Sequence, residues 1–165
     1  MPGEQAKVSY FRNFIFGVED SLVSTVGLLS GVAIAGLPKE SIFLTGIILI
    51  FVEAISMSAG SFLSESSAEE YESHASTTSK RSYFAAAVMF VSYFISGFIP
   101  LAPYVFFAGA VAFWVSIGVS IAALLLLGII GAKISRVSVV KNAIRMVFIG
   151  GLAIAVGALV GSWLG

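Results

Sequence analysis

Residues 41–64 read SIFLTGIILIFVEAISMSAGSFLS. The stretch is dominated by apolar and small residues, carries one carboxylate, Glu53, and exceeds the roughly 20 residues an α-helix needs to cross a hydrocarbon core. Four further runs of this kind surround it, at about 13–35, 83–100, 104–132 and 144–164. The composition agrees. Of the 165 residues 58% are hydrophobic and 11% charged, less than half the about 25% charge of a soluble domain, so there is too little charged surface to coat a globule in water. The expectation is one domain, an all-α integral membrane protein with five transmembrane helices.

The same composition excludes several classes of function. The net charge is zero and no basic surface suggests nucleic acid. With no cysteine there are no disulfides, thiolate metal sites or cysteine nucleophiles, and the single histidine, His74, rules out a multi-histidine zinc site within one chain. No nucleophile–base pair or cofactor motif appears, so an enzyme is not expected. Glu19 and Asp20 interrupt the first apolar run, which a signal-peptide core would not tolerate, so that run reads as a retained span, with a prokaryotic plasma membrane as the default location.

The connections orient the bundle. Residues 64–81, SESSAEEYESHASTTSKR, are polar and contain neither Gly nor Pro. Nothing in them stops a helix before Ser79, so the stretch is expected to prolong the second helix beyond the membrane. Pro100 and Pro103 are expected to end the third span. With five spans, Lys7, Arg12, Lys80, Arg81, Lys133, Arg136, Lys141 and Arg145 fall on one side and only Lys39 on the other. The positive-inside rule makes the first side cytoplasmic, with the N-terminus there and the C-terminus outside.

An ionisable group within a span costs at least about 2.5–3.5 kcal/mol and marks a functional hypothesis. Only the first two spans carry such groups: Glu19 and Asp20 in one, Glu53 in the other. At 1.5 Å per residue, Asp20 lies roughly 10 Å in from Asn13, and Met57 roughly 10 Å in from Ser64 on the antiparallel second span. Asp20 and Met57 are thus expected at one level, with Glu53 a turn deeper. Glu19 is offset about 100° from Asp20 and reads as pairing or reaching toward the cytoplasm.

Each of these helices carries a stripe of small or polar residues: Gly17, Asp20, Ser24, Gly27 and Gly31 on the first, and Gly46, Glu53, Met57, Gly60 and Ser64 on the second. Such stripes permit close helix packing. If they face each other, or a two-fold axis, they line a polar path of carboxylates, hydroxyls and one thioether through Asp20, Ser24, Glu53 and Met57. Oxygen donors with one soft sulfur suit Fe²⁺, Mn²⁺ or Co²⁺, and the chemistry does not choose among them. Met57 also fits a gap-filling role in the core.

These residues carry a resemblance. FGVEDSLVSTVGLLSGVA at 16–33 and EAISMSAGSFLSESSAEEYE at 53–72 are similar to the first- and second-helix signatures of the vacuolar iron transporter family. FAAAVMFVSYFISGFIPLAPY at 84–104 resembles its third helix, and AIRMVFIGGLAIAVGALVG its last. The resemblance implies a homodimer in lipid that moves a divalent metal, Fe²⁺ first and then Mn²⁺, Co²⁺ or Zn²⁺, out of the cytoplasm in exchange for protons. It implies no permanently bound cofactor, because the metal is substrate. It places Asp20 and Met57 on the path. It puts Glu65, Glu69, Glu70 and Glu72 where the family has acidic metal ligands; of these, Glu65, Glu69 and Glu72 share one helical face, which also reads as a plain solvated face. The chain departs from the pattern at Ser21, where Gly is usual, and at Ser61 and Phe62, where Glu-Tyr is usual. It is a short form, with residues 64–81 in place of a large cytoplasmic metal-binding domain. The alternative is a membrane metal sensor or scaffold that keeps the fold without transporting.

Overall fold

A computed structural model of the chain describes the backbone of residues 2–74 and 79–165. Among the described residues there are six helices and no strand: α1 (Pro2–Ile34), α2 (Lys39–Ser73), α3 (Lys80–Leu101), α4 (Pro103–Phe106), α5 (Gly109–Ser135) and α6 (Val139–Leu164). α4 is a single turn that carries on from α3, leaving five segments long and apolar enough to span a membrane. Large apolar side chains such as Ile48, Phe51, Val52, Ile55, Phe148 and Leu159 stand on the outside, as an integral membrane protein requires.

The helix ends follow local chemistry. Gly36, at φ +77°, turns the chain out of α1 in a conformation that suits glycine. Ser79 and Ser138 cap α3 and α6, each hydroxyl accepting a backbone N–H from the first turn. α2 continues as helix past the hydrophobic run but stops at Ser73, not at Ser79, because His74 takes the left-handed conformation that closes a helix. Pro100 does not stop the third span. α3 runs through it to Leu101, and the Ala102, Val105 and Phe107 N–H groups bond Phe98, Ala102 and Pro103 carbonyls, so the helical path reaches Phe106. Pro100 lies in the last turn of α3, so its missing N–H leaves only the Ser96 carbonyl without its helical donor; Ser116 Oγ donates to the Pro100 carbonyl itself at 2.6 Å, tying α5 to this turn. The fourth span therefore begins at Gly109 rather than at 104.

α1 is the central helix. It packs against α3 on one side and α6 on the other, while α2 lies mainly on α3, and α5 on α6 and α1. Leu29, Ile42, Ile50, Leu101, Tyr104 and Ala112 form one buried apolar cluster; Leu22, Leu124, Leu127 and Met146 form the second. The glycine stripe of α1 divides between two neighbours. Gly17 lies against Met89 and Ser92 of α3, whereas Gly27 and Gly31 lie against Ala153, Gly157 and Gly161 of α6. A Cβ on Gly31 would fall 2.7 Å from the Gly157 carbonyl oxygen. So Gly27 and Gly31 do not face α2; they allow the α1–α6 backbones to approach, the small-residue packing of membrane helices. A Cβ on Gly60 would meet nothing within 4 Å, so among the described residues it packs against no other helix.

We predict that Gly31→Val or Gly157→Val lowers stability by about 1–3 kcal/mol through overpacking, seen as earlier thermal unfolding in detergent. Gly118→Ala, where a Cβ meets nothing within 4 Å, is expected to leave it unchanged or raise it by up to about 1 kcal/mol. Equal unfolding of all three variants would refute the α1–α6 contact.

Candidate metal path

The register between α1 and α2 is set at the end of the bundle that carries the α2–α3 and α5–α6 connections. Ser9 Oγ donates to Glu65 Oε1 at 2.5 Å. One turn further along α1, Ser61 Oγ donates to Asn13 Oδ1 at 2.6 Å, and Asn13 Nδ2 returns to the Ser9 carbonyl at 2.9 Å. Two arginines complete the shell of Glu65: Arg12 of α1 pairs with Oε1, and Arg81 of α3 with Oε2 at 3.0 Å. The carboxylate thus ties three helices. Glu65 is only 2% exposed, but its cover is partly the arginine side chains, and Arg12 is itself 66% exposed. Glu69, a turn later, receives the Ser79 N–H at 3.1 Å and the Ser79 and Ser82 hydroxyls at 2.6 and 3.0 Å. It thereby anchors the start of α3. Glu70, Glu72 and His74 are exposed. Among the described residues no group of three or more His, Cys, Asp or Glu side chains is placed to hold a metal ion.

A cleft of about 980 Å³ opens beside these contacts, between α1 and α2. Arg12, Asn13, Ser61 and Ser64 line one part, and Glu19, Ser56, Met57 and Gly60 another, with Met89 of α3 also on its wall. The carboxylate that shares the cleft with Met57 is therefore Glu19, not Asp20. Glu19 also lies within electrostatic reach of Arg145 on α6.

Asp20 sits elsewhere. The Ser9–Glu65 and Asn13–Ser61 pairs run antiparallel, so each step up α1 matches a step down α2. Continued along the two helices, that register sets Asp20 opposite Glu53–Ala54 and Met57 opposite Gly17. Asp20 is thus level with Glu53, and Met57 is the one a turn away. Span lengths alone set Ser64 opposite Asn13, whereas the hydrogen bonds put Ser61 there. Asp20 and Glu53 are half-buried and lie within electrostatic reach of each other and of the Tyr93 hydroxyl of α3. That hydroxyl shares a 2.7 Å hydrogen bond with Ser24. Tyr93 is fully buried. Its carbonyl accepts Ser21 Oγ at 2.6 Å. Asp20, Ser24, Glu53 and Tyr93 form one polar group from three helices at mid-span.

Tyr93 and Glu19 are the residues that sequence reasoning did not place at the site. The signal for Tyr93 lay in FVSYFISGF, since a phenol in mid-span needs a hydrogen-bond partner that lipid cannot supply. The departures from the family pattern find local partners: the Ser21 hydroxyl bonds the Tyr93 backbone and the Ser61 hydroxyl bonds Asn13.

Fold and site define an integral membrane protein of five spanning helices whose interior carries carboxylates, hydroxyls and one thioether, a donor set that suits a divalent transition metal. The chain belongs to the VIT family, in a short form: the family model matches residues 11–84 and 73–162, two stretches that overlap over 73–84. The family is one of membrane metal-ion transporters, not enzymes. Comparison with individual curated proteins gives no match.

We predict that Glu65→Gln destabilises the protein by about 2 kcal/mol, less than the about 3–5 of a fully buried pair because Arg12 is largely solvated. Glu72→Gln should leave stability within about 0.5 kcal/mol. Coincident thermal unfolding of the two variants in detergent would show that the Glu65 network contributes nothing.

Proposed function

We propose that the chain carries a divalent metal ion, Fe²⁺ foremost and Mn²⁺, Co²⁺ or Zn²⁺ with it, out of the cytoplasm in exchange for protons. The observation that supports this most directly is the level pairing of Asp20 with Glu53 at mid-span, beside Ser24 and Tyr93 and one turn beyond Met57. Charge balance explains the coupling. Hydrocarbon disfavours a bare carboxylate, so each such group holds either a proton or a metal ion. An arriving ion displaces protons, and protons from the far side release the ion.

In this reading the connector end faces the cytoplasm, as the distribution of Lys and Arg argues, and the membrane is a prokaryotic plasma membrane. The ion meets the cleft first, with Glu19 and the Met57 thioether on its walls, then passes to Asp20 and Glu53. Two copies related by a two-fold axis complete the coordination, because one chain offers few ligands per level, and incomplete ligation keeps binding weak enough for release. Glu72, exposed on the extension of α2, gathers metal at the cytoplasmic end, whereas Glu69 is taken up by Ser79 and Ser82.

A metal sensor or scaffold is the second reading. It is favoured by the engagement of Glu65 and Glu69 with arginine and serine partners, which leaves less of the acidic segment free for ions.

Proteoliposomes with an imposed pH gradient separate the two readings. We predict Fe²⁺ and Mn²⁺ movement that stops when the gradient is collapsed, with at least a tenfold loss in Asp20→Asn, Glu53→Gln or Met57→Ala and little change in Lys39→Gln. The unsubstituted chain moving no more metal than Asp20→Asn would discard transport and leave the sensor.

A further inference from the structure

The carboxylates of the chain end at Glu72: residues 73–165 contain no Asp or Glu but six cations, Lys80, Arg81, Lys133, Arg136, Lys141 and Arg145. Arg81 is taken up by Glu65 and Glu69. The four cations around the α5–α6 connection are exposed, and none has a carboxylate within ion-pair distance among the described residues. Glu19 lies within electrostatic reach of Arg145 but does not pair with it.

Two of these cations stand on the exposed side of α6, away from the other helices. Lys141, Arg145, Phe148 and Leu152 follow spacings of four, three and four, so they share one face of the helix. All four are exposed, Phe148 to 70% and Leu152 to 56%. Ile144, beside them, is exposed as well. From Lys141 to Leu152 the rise is roughly 16 Å, about the depth of hydrocarbon in one leaflet. One exposed stripe therefore passes from two unpaired cations straight into bare apolar side chains.

We propose that this face of α6 binds an anionic phospholipid, with the headgroup phosphate on Lys141 and Arg145 and an acyl chain along Phe148 and Leu152. The complementarity is twofold. A phosphate diester supplies the acceptors and negative charge that the two cations lack within the chain, and its acyl chain covers the apolar surface directly above. A zwitterionic lipid satisfies only the second half, because its own ammonium competes for the phosphate. Lys133, on α5, shares its face with the exposed Ile130 and Leu126 but is a single cation there, and Arg136 lies past the helix end; both add a longer-range attraction to the two-cation stripe of α6.

The protein is reconstituted in vesicles of equal phosphatidylglycerol and phosphatidylcholine with identical acyl chains, and the lipids retained are counted by native mass spectrometry. Preferential retention of phosphatidylglycerol is expected. Lys141→Gln and Arg145→Gln should each cut that preference roughly five-fold, and Phe148→Ala should lower retention of both lipids while keeping the preference. Inorganic phosphate should displace neither. Equal retention of the two lipids by the unsubstituted protein overturns the proposal without any variant having to fold, and is also the outcome expected if a second copy covers this face. A preference untouched in the Lys141→Gln/Arg145→Gln double variant overturns it too, as does displacement by inorganic phosphate, which would make the cations a general anion site.

Discussion

The Glu65 carboxylate sits where α1, α2 and α3 come together, and a charge covered that completely persists only if it is paired and fully hydrogen-bonded. Ser9, Arg12 and Arg81 meet that demand from two other helices. Because the partners come from α1 and α3, satisfying one charge fixes the axial position of all three helices. α2 projects beyond the hydrocarbon core as helix, 35 residues in all or roughly 52 Å, and the projecting part carries Glu65 and Glu69. The acidic segment is thus an architectural element of the bundle, holding the start of α3 through Ser79 and Ser82 as well.

The mid-span chemistry inherits that register. With Asn13 opposite Ser61, Asp20 comes level with Glu53, and Tyr93 closes the group from α3. α1 serves two purposes on different faces. Near the connector end it leaves a cleft against α2, and toward the other end its glycines let α6 come into backbone contact. Asp20 falls between these zones in the sequence of α1 and is half-buried.

The class of protein was legible in residues 41–64 and the runs like them, since length and apolarity alone decide whether a segment can span lipid. The family was legible in the order of its helix signatures, and the match over residues 11–84 and 73–162 agrees. Several finer expectations failed for identifiable reasons. α3 ends at Leu101, between Pro100 and Pro103, but a further turn carries the helical path on to Phe106, because a proline in the last turn of a helix frees only one carbonyl. Gly27 and Gly31 lie on a stripe that the sequence lets face either α2 or a two-fold axis, and the structure turns them to α6. Their Gly-x-x-x-Gly spacing matches Gly157 and Gly161 on α6, a signal that points to a packing partner but does not say which helix supplies it. Glu19 was set aside for its angular offset from Asp20, although the cleft with Met57 lies on its side of the helix.

Depth, face and partner separate what each level determines. The sequence by itself determined that this is a five-span membrane protein and which few ionisable residues lie within lipid, because hydrophobic length and the penalty for charge are properties of a segment in its solvent. Only the tertiary structure decided that Asp20 pairs in level with Glu53, that Glu19 shares the cleft with Met57, and that Glu65 and Glu69 are held by arginine and serine. These are matters of register and neighbour, and a three-residue slip between two antiparallel helices, invisible in composition or periodicity, moves a carboxylate by most of a turn and changes what it faces.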